Sequence, residues 1–359
     1  MGGALLQLVA YGAQDVYLTG NPQITYFKVV YRRHTNFSME CIEQTFNGTP
    51  GAEKKVSCTI TRNGDLIGAM HIKLLTSGAT STEFVDIIKD VDIEIGGQKI
   101  DKHYGKWFDI WHELTVSHVF GPKAHGDHLI PPGSGTSQYV PLHFWFNRNI
   151  GCALPLIALQ YHEVKINITF GDGGISSLAN YDFSTAKLWV DYIYLDDDER
   201  KRFAKMSHEY LIEQLQYSDI QTLPGSNKKG TIPLSFNHPI KEVIWQPNTP
   251  LGGEDANIKL IFNGNDRFES REERYFTVLQ KYYHHSYIDS SLKAKRTGVY
   301  SFALRPEEHQ PSGTCNFSRI DKVELSIGNV GSATSIEIYA INYNILRVMS
   351  GMGGLSYSN

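Results

Sequence analysis

The sequence predicts an all-β protein built as two β-sandwiches in tandem. Three observations point there: apolar and polar residues alternate with period two over many short runs, Gly, Pro, Asn and Asp punctuate those runs, and 359 residues leave room for two cores of ordinary size. The run VDIEIGG at 91–97 shows the pattern, with Val91, Ile93 and Ile95 on one side and Asp92 and Glu94 on the other, where the acids are expected to meet water. Gly96-Gly97 then turns the chain into QKIDKHY. Asn63-Gly64 reads the same way between VSCTITR and DLIGAMHIKLL, since such dipeptides supply the positive φ of tight hairpins. A strand buried on one face needs a second sheet to cover it, hence sandwiches.

About eight candidate strands precede residue 196, and a similar set runs from 231 to 348. Helices are few. KWFDIWHELTVSHVF at 106–120 places Trp107, Trp111 and Leu114 on one face at i, i+4 and i+7, and is expected to cap the end of a sandwich. DDDERKRFAKMSHEYLIEQLQ at 196–216 begins with acids, where a helix N-terminus favours them, and carries Phe203, Met206 and Tyr210 on one face. The division is therefore an N-terminal arm at 1–24, a first sandwich at 25–195, a connecting helical segment at 196–216, a second sandwich at 217–348 and a tail at 349–359. KLWVDYIYL at 187–195 and SIEIYAINYNILRV at 335–348 share an aromatic, β-branched texture that hints at an internal duplication. The loops GPKAHGDHLIPPGSGTS and LPGSNKKG have the turn chemistry of exposed connections.

Composition excludes several classes. The formal net charge is −4 and no long basic run occurs, so direct nucleic-acid binding is not expected. Arg32-Arg33-His34 and Arg200-Lys201-Arg202 read as solvated faces or interface ion pairs rather than phosphate sites. Cys41, Cys58, Cys152 and Cys315 form no C-x-x-C pair, and with no secretory signal ahead of them free buried thiols in a reducing compartment are expected. Sequons at Asn36, Asn47, Asn167 and Asn316 read as chance or surface loops. No apolar run reaches the roughly 18 residues of a membrane span, and MGGALL lacks the Ser or Thr that N-myristoylation prefers.

Catalytic chemistry is sparse. His125, Asp127 and His128 could begin the two-histidine, one-carboxylate triad of an iron oxygenase, but neither His162 nor His208 is followed by an Arg about ten residues on, and the bland alternative is a polar loop. Asp90, Asp92 and Glu94 lack the glycine of a calcium loop, and no nucleophile elbow, P-loop or dinucleotide fingerprint is present. His284-His285, read as strand residues, point to opposite faces and share no metal. No catalytic residue, cofactor or metal is therefore expected. In FWFNRNIGCALP, Arg148 between Asn147 and Asn149 either satisfies buried carbonyls at a sandwich edge or contacts another subunit. Pro306-Glu307-Glu308 opens a turn whose acids could bridge to a neighbour.

Several blocks carry a resemblance: YSFALRPEEHQPSGTCNFSRID at 300–321, PLHFWFNRNIGCALPLIALQYHEVKI at 141–166, VAYGAQDVYLTGNPQITYFKVVYRRHTNFSME at 9–40, LWVDYIYLDDDERKRFAKMSHEYLIEQLQ at 188–216 and the tail RVMSGMGGLSYSN. Together they resemble the major capsid proteins of nucleocytoplasmic large DNA viruses. The resemblance implies two tandem eight-stranded jelly rolls with a few short helices in the connections, and no enzymatic activity. It implies homotrimers of pseudo-hexagonal outline that tile an icosahedral virion shell over an internal membrane without spanning it, assembled in the host cytoplasm with minor capsid proteins as further partners. Candidate assembly contacts are Leu5, Leu8, Arg32, Arg33, Arg148, Glu307 and Glu308. The loops of the second half are short, which puts the outward tower of the family in doubt. The alternative is a carbohydrate-binding β-sandwich attachment protein, with exposed Trp or Tyr stacking on sugars.

Overall fold

The computed structural model describes residues 3–76, 84–115, 137–172, 181–252, 256–286 and 296–358. The chain forms two units, Met1–Asn36 and Phe37–Asn359. The first holds two short helices, α1 (Gly3–Val9) and α2 (Asp15–Thr19), neither with a buried residue. Its segment 24–31 exposes Ile24, Tyr26, Phe27, Val29, Val30 and Tyr31. The first sandwich was expected from residue 25, yet the first strand starts at Phe37. A β-branched and aromatic run makes a strand only where another strand accepts it, and 24–36 finds none among the described residues.

The second unit begins with a five-stranded sheet facing a four-stranded one. The strands in chain order are β1 (Phe37–Gln44), β2 (Lys55–Thr59), β3 (Leu66–Thr76), β4 (Ile88–Ile95), β5 (Gln98–Tyr104), β6 (Ser137–Pro141), β7 (Leu154–Pro155), β8 (Val164–Phe170) and β9 (Tyr181–Leu195). Their orders are β1-β9-β3-β6, with β7 beside β3, and β2-β8-β4-β5. The later strands are β10 (His208–Leu223), β11 (Lys228–Pro233), β12 (Pro239–Pro247), β13 (Asn257–Phe262), β14 (Asn265–Asp266), β15 (Arg271–Glu272), β16 (Gly298–Ser301), β17 (Cys315–Asn316), β18 (Val323–Val330), β19 (Thr334–Met349) and β20 (Met352–Leu355). They make a six-stranded sheet ordered β10-β19-β12-β16 and a five-stranded sheet ordered β11-β18-β13-β14, with the remaining short strands at the margins. The second pair of sheets repeats the order of the first, strand for strand. This is the jelly-roll arrangement twice over, and the duplicated texture of the two tyrosine-rich strands is now explained: β9 and β19 hold the same place. Eight strands make the ordered path of each pair of sheets, and β7, β15, β17 and β20 pair beside it as short additions.

Local chemistry matches most of these elements. Val91, Ile93 and Ile95 are fully buried, and Gly96 and Gly97 take φ of +59° and +82° in the β4–β5 hairpin. The acids of that strand depart from expectation. Asp92 is buried and accepts from Asn167 Nδ2 at 2.8 Å, with Lys55 and Lys99 about its rim, so the sequon at Asn167 is closed to a glycan by the same contact. Asn63-Gly64 is not a hairpin either: β2 pairs with β8 and β3 with β9, in different sheets. Gly64 is needed there for closeness, since a Cβ would meet Tyr192 Cβ at 2.9 Å. All four cysteines are free, with Cys41 exposed on β1 and Cys315 half-buried rather than buried as expected.

Three helices and the two long strands join the rolls. α3 (Gly105–Thr115) buries Trp107, Ile110, Trp111 and Leu114 against Ile244, Val299, Tyr339 and Ile341, on the six-stranded sheet of the second roll. The expectation was a helix that caps the end of a sandwich. The aromatic face instead covers a sheet face that lies outside the second core, at roughly 1.5–3 kcal/mol for each large side chain removed from water. α4 (Trp145–Arg148) comes after β6. α5 (Asp197–Lys205) is capped by Asp196 and carries acids in its first turn and Arg202 and Lys205 in its last. It stops well short of residue 216, because 208–223 pairs with β19 along almost its whole length, and that ladder outweighs the helix preference of Glu, Leu and Gln. The even positions of β19 then read as a cross-section of the molecule. Ile336, Ile338 and Ala340 lie in the second core, Asn342 and Asn344 meet Gln214 at the joint, and Leu346 and Val348 lie in the first core. The last helix, α6 (Gln280–His284), extends a π-helical turn at Tyr275–Leu279, so His284 is helical rather than in the expected strand.

Candidate functional site

Charged side chains gather where the two rolls meet. β12 is buried on both faces from Ile240 to Trp245, yet carries Lys241 and Glu242. Buried charges are expensive unless paired, so their partners define the site. Lys241 Nζ lies 2.8 Å from Glu213 Oε1 and donates to the Pro306 carbonyl. Arg148 Nη2 donates to the other oxygen of Glu213, and its guanidinium sits 4.8 Å from the Trp111 ring. Burial pushes the Glu213 carboxyl up, but Arg148 and Lys241 outweigh burial and hold it below the ordinary range. Burial lowers the Lys241 ammonium despite the pull of Glu213.

Glu242, the next residue, takes a different partner. Its Oε2 lies 3.1 Å from His285 Nε2, while His285 Nδ1 lies 3.0 Å from Glu307 Oε1. Glu307 also accepts from Ser286, through the backbone N–H at 2.9 Å and the hydroxyl. The imidazole side chain is 0% exposed. Burial alone would lower its pKa, but the two carboxylates raise it to about 9, so the ring is a cation at neutral pH. Close by, Cys152 Sγ lies 3.2 Å from His309 Nε2. Burial and Glu213 push that thiol up, so a neutral S–H faces the histidine and the pair lacks the thiolate a nucleophile needs. Trp145, Arg148, Asn149, Glu213, Glu307 and His309 line a cleft of about 140 Å³ at this joint.

The structure thus brings together two predicted residues, Arg148 and Glu307, that are far apart in sequence. Arg148 pairs with Glu213, and the amides beside it serve local needs: Asn147 Nδ2 donates to Gly68 O at 2.7 Å and Asn149 Oδ1 accepts from Gly151 N at 2.9 Å. Glu308 stands apart in an exposed pair with Arg305 at 3.1 Å. Leu5, Leu8, Arg32 and Arg33 are exposed in the Met1–Asn36 unit. The triad His125, Asp127 and His128 lies outside the described residues. Sequence reasoning missed Glu213, Lys241, Glu242, His285 and the Cys152–His309 contact. One signal was available: PIKEVIW places two adjacent charges inside an apolar run, where only paired charges are tolerated.

The chain matches the family described as "Major capsid protein N-terminus" over residues 25–196 and "Large eukaryotic DNA virus major capsid protein" over 199–256 and 254–354. It is 50% identical to the major capsid protein of Pyramimonas orientalis virus, with all of both chains covered. The chain belongs to the large eukaryotic DNA virus major capsid protein family. The major capsid protein of Paramecium bursaria Chlorella virus 1 is 41% identical, again across the whole of both chains. In three dimensions the chain matches a protein of the PBCV-1 virus capsid quasi-atomic model with a TM-score of 0.81 at 36% identity, over 93% of this chain and 100% of that one. The double jelly roll is therefore the fold of a capsid family, and this member is a structural protein of the virion capsid rather than an enzyme. The attachment-protein alternative finds no relative in these matches.

Proposed function

We propose that this chain forms homotrimers whose six jelly rolls give a pseudo-hexagonal building block, and that these blocks tile the icosahedral shell of a large double-stranded DNA virus. One observation carries the reading: the second roll repeats the sheet order of the first, so three chains present six equivalent sandwiches around one axis. Self-association is implied by membership of a capsid family. The divisions of the chain serve it: an arm ahead of Phe37, a roll on each side of α5, and a tail that returns as β20 beside β19. The arm, with Leu5, Leu8, Arg32 and Arg33 exposed, would order against neighbouring blocks or minor capsid proteins, as terminal segments do when a partner ties them down. Glu308 and Arg305, on the surface, fit a polar contact between blocks. Arg148 acts inside the chain, pairing the first roll with Glu213 of the second so that neighbouring blocks can close, while Glu307 ties the 304–313 loop to His285 within the second roll.

The shell would lie over an internal membrane without crossing it; no helix among the described residues is long and apolar enough to span one. A net charge of −4 disfavours direct genome contact. Assembly belongs to the host cytoplasm, where the free thiols stay reduced. Light scattering on purified protein is the test, followed by negative-stain imaging of the main peak. A mass of about 120 kDa, three copies of the 40.5 kDa chain, with a hexagonal outline is expected. A monomer that persists at high concentration overturns the trimer.

A further inference from the structure

The loop after β16 holds the junction by unusual means. From Leu304 to Gly313 it forms no ladder, yet Lys241 seizes the Pro306 carbonyl, Glu307 takes His285 and Ser286, and His309 meets Cys152 of the first roll. The His285 contact differs from the others in kind. Each ring nitrogen faces a carboxylate oxygen, Glu242 on one side at 3.1 Å and Glu307 on the other at 3.0 Å. A neutral imidazole has one N–H and one lone pair, so it could satisfy one carboxylate only while repelling the other. The doubly protonated ring donates Nδ1–H to Glu307 and sets its charge against Glu242 as an ion pair at 3.1 Å, outside hydrogen-bond geometry. We propose that His285 is a proton-dependent clasp, closed as imidazolium across Glu242 and Glu307, and that alkali opens it and frees the 304–313 loop from the joint between the rolls.

The step is a simple deprotonation. The ring gives one proton to hydroxide, water forms, and two carboxylates are left facing a neutral ring in a buried site. The surrounding charges determine whether that state holds. β12 contributes Lys241 and Glu242, β10 contributes Glu213, α4 contributes Arg148 and the loop contributes Glu307, with His309 at its far end. Arg148 and Lys241 both pair with Glu213, and among the described residues the imidazolium is the cation in contact with both Glu242 and Glu307. On its own helix Lys281 is buried one turn before the ring, its carbonyl accepting from His285 N–H at 2.8 Å, and His284 bonds Leu304 O at 3.1 Å and so anchors the loop's start. The raised pKa of His285 puts the opening above neutral pH. Glu307 is the partner that moves, because it sits on a loop whereas Glu242 is fixed in a sheet buried on both faces.

Hydrogen exchange read by mass spectrometry on purified full-length protein tests this. Protection of peptides covering 300–313 and 280–286 is tracked from pH 7 to 10, with the intrinsic rate corrected at each pH, for the native chain, His285→Gln and Glu307→Gln. The native protein is expected to lose at least tenfold in protection of both peptides between pH 8 and 10, while β9 and β19 stay protected. His285→Gln is expected to start unprotected at pH 7 and to show no step, and Glu307→Gln to have its step at lower pH. A flat native profile overturns the proposal, as does a step that persists in His285→Gln, which would assign the titration to another buried group such as Lys241 or Lys281. Should either variant fail to fold, the native profile decides together with Glu242→Gln, for which the step is again expected at lower pH.

Discussion

Single residues at the joint carry more than their share of stability. Lys241 is fully buried and Arg148 mostly so, and both point at one carboxylate. Replacing Glu213 with Ala strands two cations, and such broken buried pairs cost about 3–5 kcal/mol. Guanidinium unfolding of the purified protein is expected to show that loss; a change under about 1 kcal/mol would mean water reaches the site and screens it. His285 makes a pH prediction with a definite sign. Its folded pKa of about 9 stands above the ordinary histidine value of roughly 6.5, so the clasp contributes fully below pH 6.5 and loses its contribution as pH rises through 9. Stability of the native chain and of His285→Gln should therefore differ at pH 7 and converge by pH 10, by roughly 3 kcal/mol at most. A difference that holds constant across that range contradicts a charged ring. Little of this was legible in the sequence. Arg148 stood out because an arginine comes soon after an aromatic triplet, but it ends the helix α4 and its partner Glu213 lies on β10, and no local pattern records which carboxylate a folded chain will bring to it.

Elements were far easier to read, and the exceptions share a cause. Strands such as β4 and β19 announce themselves because alternation is set by the pleat, which is local. β10 did not, since HEYLIEQLQ is composed of good helix formers and becomes a strand only because β19 is there to pair with it. The same holds for α3. Its apolar face was visible, but the surface it covers belongs to the other roll. Trp111 is the central test of that contact, being buried against the second roll's sheet and stacked on Arg148. Trp111→Ala should cost about 3–5 kcal/mol through the cavity it leaves. Calorimetry should then show more than the stability loss: with the helix loosened, the two rolls should unfold in separate transitions. A single transition displaced to lower temperature would show that β10, β19 and the ionic joint suffice to couple them.

At the scale of the whole chain the two units pose the remaining question. Residues from Phe37 onward hold the buried hydrophobic residues of the described structure, while Met1–Asn36 buries none among those described. The sequence reading set the arm at 1–24 and the described strands begin at Phe37; ITYFKVVYRR between them has the composition of a strand, and composition cannot tell whether a partner edge exists. That distinction gives a pair of truncations with different expectations. Removing residues 2–21 should leave both the proposed trimer and the thermal midpoint unchanged while weakening assembly into larger shells, measured by light scattering and by pelleting of assembled particles. Removing residues 2–36 should again leave the midpoint unchanged, because no buried side chain is lost, but it also removes the exposed run from Ile24 to Tyr31 and with it six large apolar side chains left in water in the single chain. Such a run is costly in a soluble monomer and is retained when another chain covers it. The longer truncation should therefore weaken assembly much further than the shorter one. Equal effects would place the assembly role in α1 and α2, around Leu5 and Leu8, and loss of the trimer on removing residues 2–21 alone would refute an arm that acts only between trimers.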